Sequence, residues 1–213
     1  MKRPRVLLAD DHRIVAEGLR GLLEPEFELV GIVEDGRAMI EAADELRPDV
    51  IVADISMPLL NGIDAVRKLR KSGKDIKVVF LTMHPDVAYA ASAIEAGALG
   101  YVLKHSAPSE LVTAIHSAIR GKAYVTPLLA GDLMQFRKAG AGEKREKLFQ
   151  LTPRQHEVVQ LLAEGRSARE IASVMNISPR TVEFHKYSMM NELGMKTVAE
   201  LIRYAINNGI VTQ

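Results

Sequence analysis

The stretch Val50-Ile51-Val52-Ala53-Asp54 places an aspartate directly after four apolar residues. A short apolar run of this kind is typical of a buried strand in a parallel sheet. Three other apolar runs end in the same way: residues 6–9 before Asp10 and Asp11, residues 78–81 before Thr82, and residues 101–103 before Lys104. Ligands bind beyond the carboxyl ends of the strands in an open parallel sheet. We therefore expect these polar residues to converge at one edge of a sheet.

Three carboxylates at one sheet edge predict a site for a divalent cation. Asp10, Asp11 and Asp54 would repel one another unless a cation lay among them. Mg2+ is the obvious candidate, because it is a hard ion that prefers oxygen ligands and normally also binds phosphate oxygens. Each aspartate taken singly could instead cap the helix that follows its strand.

Strand and helix patterns alternate through the first 120 residues. Strands are predicted at residues 5–9, 29–33, 50–53, 77–81 and 100–103, each followed by a helical pattern. Five such repeats with short connections imply right-handed crossovers and helices on both faces of a parallel sheet. Residues 1–122 are therefore predicted to form a five-stranded, doubly wound α/β domain of the flavodoxin-like type.

The alternation stops after Gly121, and residues 123–147 are predicted to be a linker. Residues 127–137 could form a short helix within it. The sequence Ala-Gly-Ala-Gly at 139–142, with mixed charges after it, is typical of a flexible segment.

From residue 152 onward every signal is helical. Thr152 and Ser167 each begin a capping box, and Ser178 precedes a proline that suits the first turn of a helix. The predicted helices cover residues 153–164, 168–175, 179–193 and 198–207. The second and third, joined by a short turn, have the helix-turn-helix arrangement. Residues 148–213 are thus predicted to form a small all-α domain of four helices.

The chain resembles two-component response regulators of the NarL/FixJ/LuxR type, in which a receiver domain precedes a helix-turn-helix effector. The receiver resemblance is carried by Asp10-Asp11-His12, Asp54-Ile55-Ser56-Met57-Pro58, Asn61-Gly62, Thr82 and Tyr101-Val102-Leu103-Lys104. The effector resemblance is carried by Leu151-Thr152-Pro153-Arg154, Glu157-Val158, Glu170-Ile171-Ala172, Thr181-Val182, His185 and Leu193-Gly194. Together the two resemblances cover nearly all of the 213 residues.

The resemblance implies that Asp54 accepts a phosphoryl group from a sensor histidine kinase. Asp10 and Asp11 would hold Mg2+ together with Asp54, and the resemblance implies that the backbone carbonyl of Ser56 is a further ligand. The cation neutralises charge on the incoming phosphoryl oxygens.

The resemblance also implies a switch. Lys104 would pair with the phosphoryl or carboxylate oxygens, and Thr82 would donate its hydroxyl once the phosphoryl group is present. Tyr101 is then expected to rotate inward, which turns a phosphoryl signal into a surface signal. An ordinary half-buried aromatic residue at position 101 is the alternative.

The helix from Pro179 to Leu193 has the position of a recognition helix, which lies in the DNA major groove. By resemblance, the residues that face DNA are Arg180, Thr181, Glu183, Phe184, Lys186 and Tyr187. Glu183 departs from the family pattern, which usually has a lysine there. It could face phosphates, accept a hydrogen bond from cytosine, or point into solvent.

Composition sets limits on the function. The formal net charge is +1 and the chain has no cysteine, so it has neither disulfides nor a thiolate metal site. We find no apolar stretch that could span a bilayer and no signal core, so no membrane association is expected and the cytoplasm is the simplest location. With a net charge this close to zero, a DNA-binding protein must either place its few cations well or bind as a multimer, in which each subunit adds phosphate contacts.

The sequence is interpreted as a phosphorylation-regulated transcription factor, not an enzyme, that binds double-stranded DNA as a homodimer. One alternative is a DNA-binding protein whose receiver is a dimerisation module that works without phosphorylation. The other is a phosphotransferase or hydrolase with an aspartyl-phosphate intermediate, of the haloacid dehalogenase type. Those enzymes place a second acid two residues after the nucleophile, where this chain has Ser56.

Overall fold

The computed structural model describes residues 3–106, 108–138 and 151–211, and its first part is a parallel sheet. The strands are β1 (Arg5–Ala9), β2 (Glu28–Val33), β3 (Val50–Ala53), β4 (Lys77–Thr82), β5 (Gly100–Leu103) and β6 (Tyr124–Val125). Their order across the sheet is β2-β1-β3-β4-β5-β6, and every pair is parallel. The order reverses at β1, which puts a topological switch point beside β1 and β3.

The prediction of five strands is wrong by one, because β6 adds a sixth. Tyr124 donates its backbone N–H to Leu99 and Thr126 donates to Tyr101, so the chain after the fifth helix continues along β5. A strand of two residues is too short to show an alternating pattern. Its pairing with β5 depends on the position in space at which the preceding helix ends. The local sequence does not encode that position.

The helices of this α/β domain lie on both faces of the sheet. They are α1 (Arg13–Leu23), α2 (Gly36–Leu46), α3 (Gly62–Lys71), α4 (Val87–Glu95) and α5 (Pro108–Ile119). Two apolar clusters separate them from the sheet, one on each face. The central strands β3 and β5 are buried on both faces, as their continuous apolar sequences predict, whereas β2 at the edge is only partly buried.

A sixth helix, α6 (Pro127–Lys138), packs against α4. Leu129 and Leu133 are buried in the same apolar cluster as β3 and α4, and Phe136 packs at its edge. This segment lies within the predicted linker of residues 123–147. Its glycine-containing portion, residues 139–147, lies outside the described residues.

The described residues of the carboxyl-terminal domain, 151–211, form four helices, as predicted. They are α7 (Pro153–Ala163), α8 (Ala168–Met175), α9 (Pro179–Glu192) and α10 (Val198–Asn207). Both predicted capping boxes are present, and Thr197 with Glu200 forms a third at the start of α10. Asn176 adopts the left-handed conformation between α8 and α9 (φ 55°), which gives the sharp turn of a helix-turn-helix. Within the described part of the chain, none of the helices has the length and apolarity to cross a membrane.

Candidate functional site

Asp10, Asp54 and Lys104 lie together beyond the carboxyl ends of β1, β3 and β5. Lys104 Nζ is 2.8 Å from Asp10 Oδ2 and 2.7 Å from Asp54 Oδ2. Both aspartates are almost fully buried, at 1% and 5% exposure. Thr82, at the end of β4, is buried and lines the same pocket as Asp54 and Lys104. The parallel sheet therefore brings together residues that lie far apart in sequence.

Burial and charge oppose each other at this site. Burial raises the pKa of Asp54, and Lys104 lowers it only in part, so the net shift is upward. Burial alone would lower the pKa of Lys104, but Asp54 and Asp10 outweigh it and raise that pKa. The ammonium group of Lys104 is thus held in its charged form between two carboxylates.

The site also has the donors for a hard cation. Carboxylate oxygens of Asp10, Asp11 and Asp54, with a ring nitrogen of His12, all lie within 4.8 Å of one another. Oδ1 of Asp11 is buried and accepts no hydrogen bond of good geometry, although Nδ1 of His12 is 2.9 Å away. One lysine between three carboxylates leaves negative charge uncompensated. These features fit a divalent cation with oxygen ligands.

His84 links three residues around the pocket. Its Nε2 shares a 2.7 Å hydrogen bond with Oγ of Ser56, and its backbone N–H donates to Oγ1 of Thr82 at 3.3 Å. The hydroxyl of Tyr101 donates to the His84 carbonyl at 2.8 Å. Burial lowers the pKa of His84, which favours the neutral ring, although the charge of Asp54 opposes this effect. Tyr101 itself is fully buried, so its ring already points inward in this structure.

Of the six α9 residues predicted to face DNA, Arg180, Phe184 and Tyr187 are exposed, whereas Thr181, Glu183 and Lys186 are partly buried. Phe184 and Tyr187 are 68% and 62% exposed, and Arg180 is also exposed. Thr181 is partly buried beside Ser178, whose hydroxyl shares a hydrogen bond with its own. On the opposite side of the helix, Val182 and Met189 are fully buried in the domain core.

Glu183 and Lys186 form an ion pair one turn apart on α9. The Lys186 ammonium also lies over the Tyr187 ring, 4.8 Å from its centroid. Glu183 therefore neutralises a cation of the predicted DNA-facing surface.

Comparisons with known proteins agree with this two-part organisation. Residues 6–116 match the family model described as a response regulator receiver domain, and residues 150–205 match that of bacterial regulatory proteins of the luxR family. The chain belongs to the LuxR-type response regulators. It is thus a DNA-binding transcription regulator of two-component systems, and its relatives as a group are regulators rather than enzymes.

Curated relatives of this response regulator match it over almost the whole length. The transcriptional regulatory protein MctR of Rhizobium johnstonii is 36% identical over 98% of this chain and 96% of its own. The response regulator UvrY of Escherichia coli is 34% identical over 96% of this chain and 94% of its own. Among solved structures, RcsB of Salmonella enterica serovar Typhimurium, bound to a promoter with the phosphomimetic BeF3-, has a TM-score of 0.66 and 30% identity. That match covers 97% of this chain and 100% of RcsB.

The position of His84 in the response regulator differs from what the sequence predicts. No pair among His12, His84 and His105 has the spacing of metal ligands on a helix, so the sequence predicts that all three lie at the rim of the pocket. The structure places the ring of His84 in the pocket beside Asp54. A histidine two residues after Thr82 was the available signal, but the direction of a loop side chain depends on packing that the spacing does not encode.

Proposed function

We propose that this response regulator accepts a phosphoryl group on Asp54 from a partner histidine kinase, with Mg2+, and that the phosphorylated form binds DNA as a dimer. The observation that carries the proposal is the Asp10–Lys104–Asp54 arrangement at the sheet edge, in a chain whose α9 surface is exposed. A carboxylate oxygen of Asp54 would bond to phosphorus as the bond from phosphorus to the donor breaks.

Lys104 supports this reaction through charge. Its ammonium group contacts Asp54 Oδ2 and would remain beside the phosphoryl oxygens after transfer. A preorganised cation in a partly buried site interacts with developing negative charge more strongly than a solvated one. Since Asp54 is reactive only as a carboxylate, the opposing effect of Lys104 on its raised pKa also maintains the reactive form.

Asp10, Asp11 and Asp54, with the backbone carbonyl of Ser56, would hold the Mg2+. When bound, the ion neutralises charge on the transferred group. The chain supplies three carboxylates, of which those of Asp10 and Asp54 are buried, and they are close enough to share one ion. A Ser56 side chain in place of a second acid also argues against a dehalogenase-type hydrolase.

Thr82 and Tyr101 would carry the signal away from Asp54. Thr82 Oγ1 accepts a hydrogen bond from the backbone of His84, and the carbonyl of His84 accepts one from Tyr101. Movement of Thr82 toward a phosphoryl group would remove its contact with this loop. The loop leads into α4, so a change at Thr82 can reach that helix.

The exposed face of α9 would enter the DNA major groove, with Arg180, Thr181, Glu183, Phe184, Lys186 and Tyr187 toward the DNA. Phe184 would contact a thymine methyl group, a common apolar contact in direct readout. Because Glu183 pairs with Lys186, few positive charges remain on this surface. Dimeric binding would compensate by doubling the phosphate contacts.

Labelling with a small phosphodonor tests the proposed acceptor. Asp54→Asn removes the nucleophile while nearly preserving its shape, so we expect labelling to be lost. Asp49→Asn is the matched control, because Asp49 is exposed and lies just before β3, at the opposite edge of the sheet. Asp11→Ala is expected to lower both Mg2+ affinity and labelling rate. Full labelling of Asp54→Asn would place the acceptor elsewhere, and labelling that did not depend on Mg2+ would overturn the metal assignment.

A further inference from the structure

The loop between β3 and α3, which follows Asp54 directly, is hydrogen-bonded to the DNA-binding domain. Gln160 on α7 donates from Nε2 to the carbonyl of Met57 at 2.8 Å, and its Oε1 accepts from the backbone N–H of Asn61 at 2.9 Å. Gln160 is 1% exposed, so both bonds are buried. A buried side-chain amide left without partners is costly, and Gln160 therefore favours one position of this loop.

Glu164, the residue that caps the carboxyl end of α7, contacts the middle of the loop. The backbone N–H of Leu59 donates to Glu164 Oε1 at 3.0 Å. Leu59 has a φ of 63°, in the left-handed region that non-glycine residues rarely adopt, and its side chain packs against the core of the DNA-binding domain. Such a conformation persists when its surroundings maintain it. Here, part of those surroundings belongs to the other domain.

An ion cluster beside these bonds fixes the same junction. The carboxylate of Glu157, on α7, is 2% exposed. It lies 2.8 Å from Lys68 on α3 and 3.3 Å from Arg37 on α2, and Arg154 of its own helix is 3.5 Å away. A buried carboxylate must be paired, and two of its three cations come from the receiver.

The loop that α7 holds also forms part of the phosphorylation pocket. Ser56 shares its hydroxyl hydrogen bond with His84, which lies on the other side of the pocket that contains Asp54. On the neighbouring side, Glu164, Ile210 and Val211 line a groove together with Asp11 and Ser56. The docked domain thus adds a carboxylate and apolar bulk next to the expected Mg2+ site. Both features oppose the approach of an anionic phosphodonor.

We infer that Gln160, a residue of the DNA-binding domain, is a positioning residue for phosphoryl transfer to Asp54. It holds the β3–α3 loop in the position that restricts access to the pocket, and it thereby slows labelling while the DNA-binding domain is packed against the receiver. The inference rests on the proposed role of Asp54. Because coupling between two sites is reciprocal, phosphorylation weakens the docking of α7 by the same factor. The exposed face of α9 is not covered in the docked form, so this restraint acts on the receiver rather than by hiding Phe184 and Tyr187.

The labelling rate of the full chain, measured with acetyl phosphate and Mg2+, tests the inference. Gln160→Leu keeps the volume of the side chain but removes the bonds to Met57 and Asn61, and Lys68→Glu weakens the junction from the receiver side. We expect both to label about three- to tenfold faster, as for a contact weakened by one or two hydrogen bonds. Lys71→Glu is the matched control: it makes the same charge change on an exposed residue of the same helix that forms no ion pair with Glu157.

Amide hydrogen exchange gives a second readout that a purely structural role of Gln160 would not reproduce. The N–H groups of Leu59 and Asn61 donate to Glu164 and Gln160, so they are expected to exchange faster in Lys68→Glu and in the wild type after addition of beryllofluoride. Lys68 is partly exposed, so Lys68→Glu should fold. It therefore allows the test to be completed if Gln160→Leu does not fold.

The outcomes separate the two proposals. If the wild type is not labelled on Asp54, the proposed function fails. If the wild type is labelled and Lys68→Glu is labelled at the same rate or more slowly, the role of Gln160 is overturned while that of Asp54 stands. Unchanged exchange at Leu59 and Asn61 with beryllofluoride would likewise overturn the reciprocal effect on docking.

Discussion

The phosphorylation pocket and the DNA-facing surface of α9 differ in what fixes their side chains. Asp10 and Asp54 are buried, and Lys104 contacts both. Phe184 and Tyr187, in contrast, are mostly exposed, and their binding partner lies outside the chain. The geometry of the phosphorylation pocket is determined by the sheet, so it follows from the fold of this chain alone. The DNA-facing surface becomes defined only against DNA, so its residue roles depend on binding experiments.

Among the residues that surround Asp54, Lys104 should give the largest effect when it is replaced, because its contact with Asp54 is already formed in the fold. We expect Lys104→Met to lower the labelling rate by about 100-fold, as for the loss of one preorganised charge contact. Burial raises the pKa of Asp54 and Lys104 opposes that shift, so the variant should have a still higher Asp54 pKa. The reactive carboxylate is present above this pKa and is lost as the pH falls through it. The acid limb of the rate profile should therefore move to higher pH.

A pH series of labelling rates checks this prediction. Lys122→Met, which changes an exposed lysine after α5, serves as control and should retain the wild-type profile. An acid limb at the same pH in Lys104→Met and wild type would mean that Lys104 does not control the charge state of Asp54.

Replacement of Thr82, which connects the pocket to the surface, should have an intermediate effect. Phosphorylation is expected to strengthen dimerisation by about 1–3 kcal/mol, the usual range for coupling between sites. Thr82→Ala should weaken this response more than it weakens phosphoryl acceptance, because the hydroxyl acts after transfer. Sedimentation with and without beryllofluoride measures the response, and Thr113→Ala, on the exposed face of α5, is the control. Equal losses of labelling and of dimerisation would remove Thr82 from the switch.

Replacement of Glu183 should have the smallest effect on function. It is also the most informative replacement, because Glu183 lies on the surface whose contacts the fold does not determine. Glu183→Lys removes the partner of Lys186 and adds a cation. If the residue faces phosphates, binding to specific and unrelated DNA should strengthen alike, and the salt dependence should steepen by about one to two units of slope. If it accepts a hydrogen bond from cytosine, the specific site should weaken by about 1–3 kcal/mol.

Binding curves for two DNA sequences at three salt concentrations distinguish these cases. Glu41→Lys, which makes the same charge change on an exposed residue of α2, controls for net charge. If Glu183→Lys alters neither slope nor specificity relative to that control, the residue lies outside the interface.

Local signals predicted most of the fold. Apolar runs located the five long strands, and the capping residues Thr152 and Ser167 located two helix starts, because these patterns act over a few residues. The sixth strand escaped prediction since Tyr124 and Val125 are ordered by pairing with β5. The site divides in the same way. The positions of Asp10 and Asp54 could be predicted because each follows a strand. The contact of Gln160 with Asn61 spans 99 residues and two domains, so no local sequence pattern predicts it.

Signalling from Asp54 to the DNA-binding domain is tested by the affinity of the full chain for its DNA with and without beryllofluoride, in the wild type and in Asp54→Asn. We expect beryllofluoride to tighten wild-type binding by about 5- to 150-fold, the range expected for site coupling, and to leave binding by Asp54→Asn unchanged. Equal wild-type affinity in the two conditions would contradict this expectation and would favour a receiver that acts as a dimerisation module without phosphorylation.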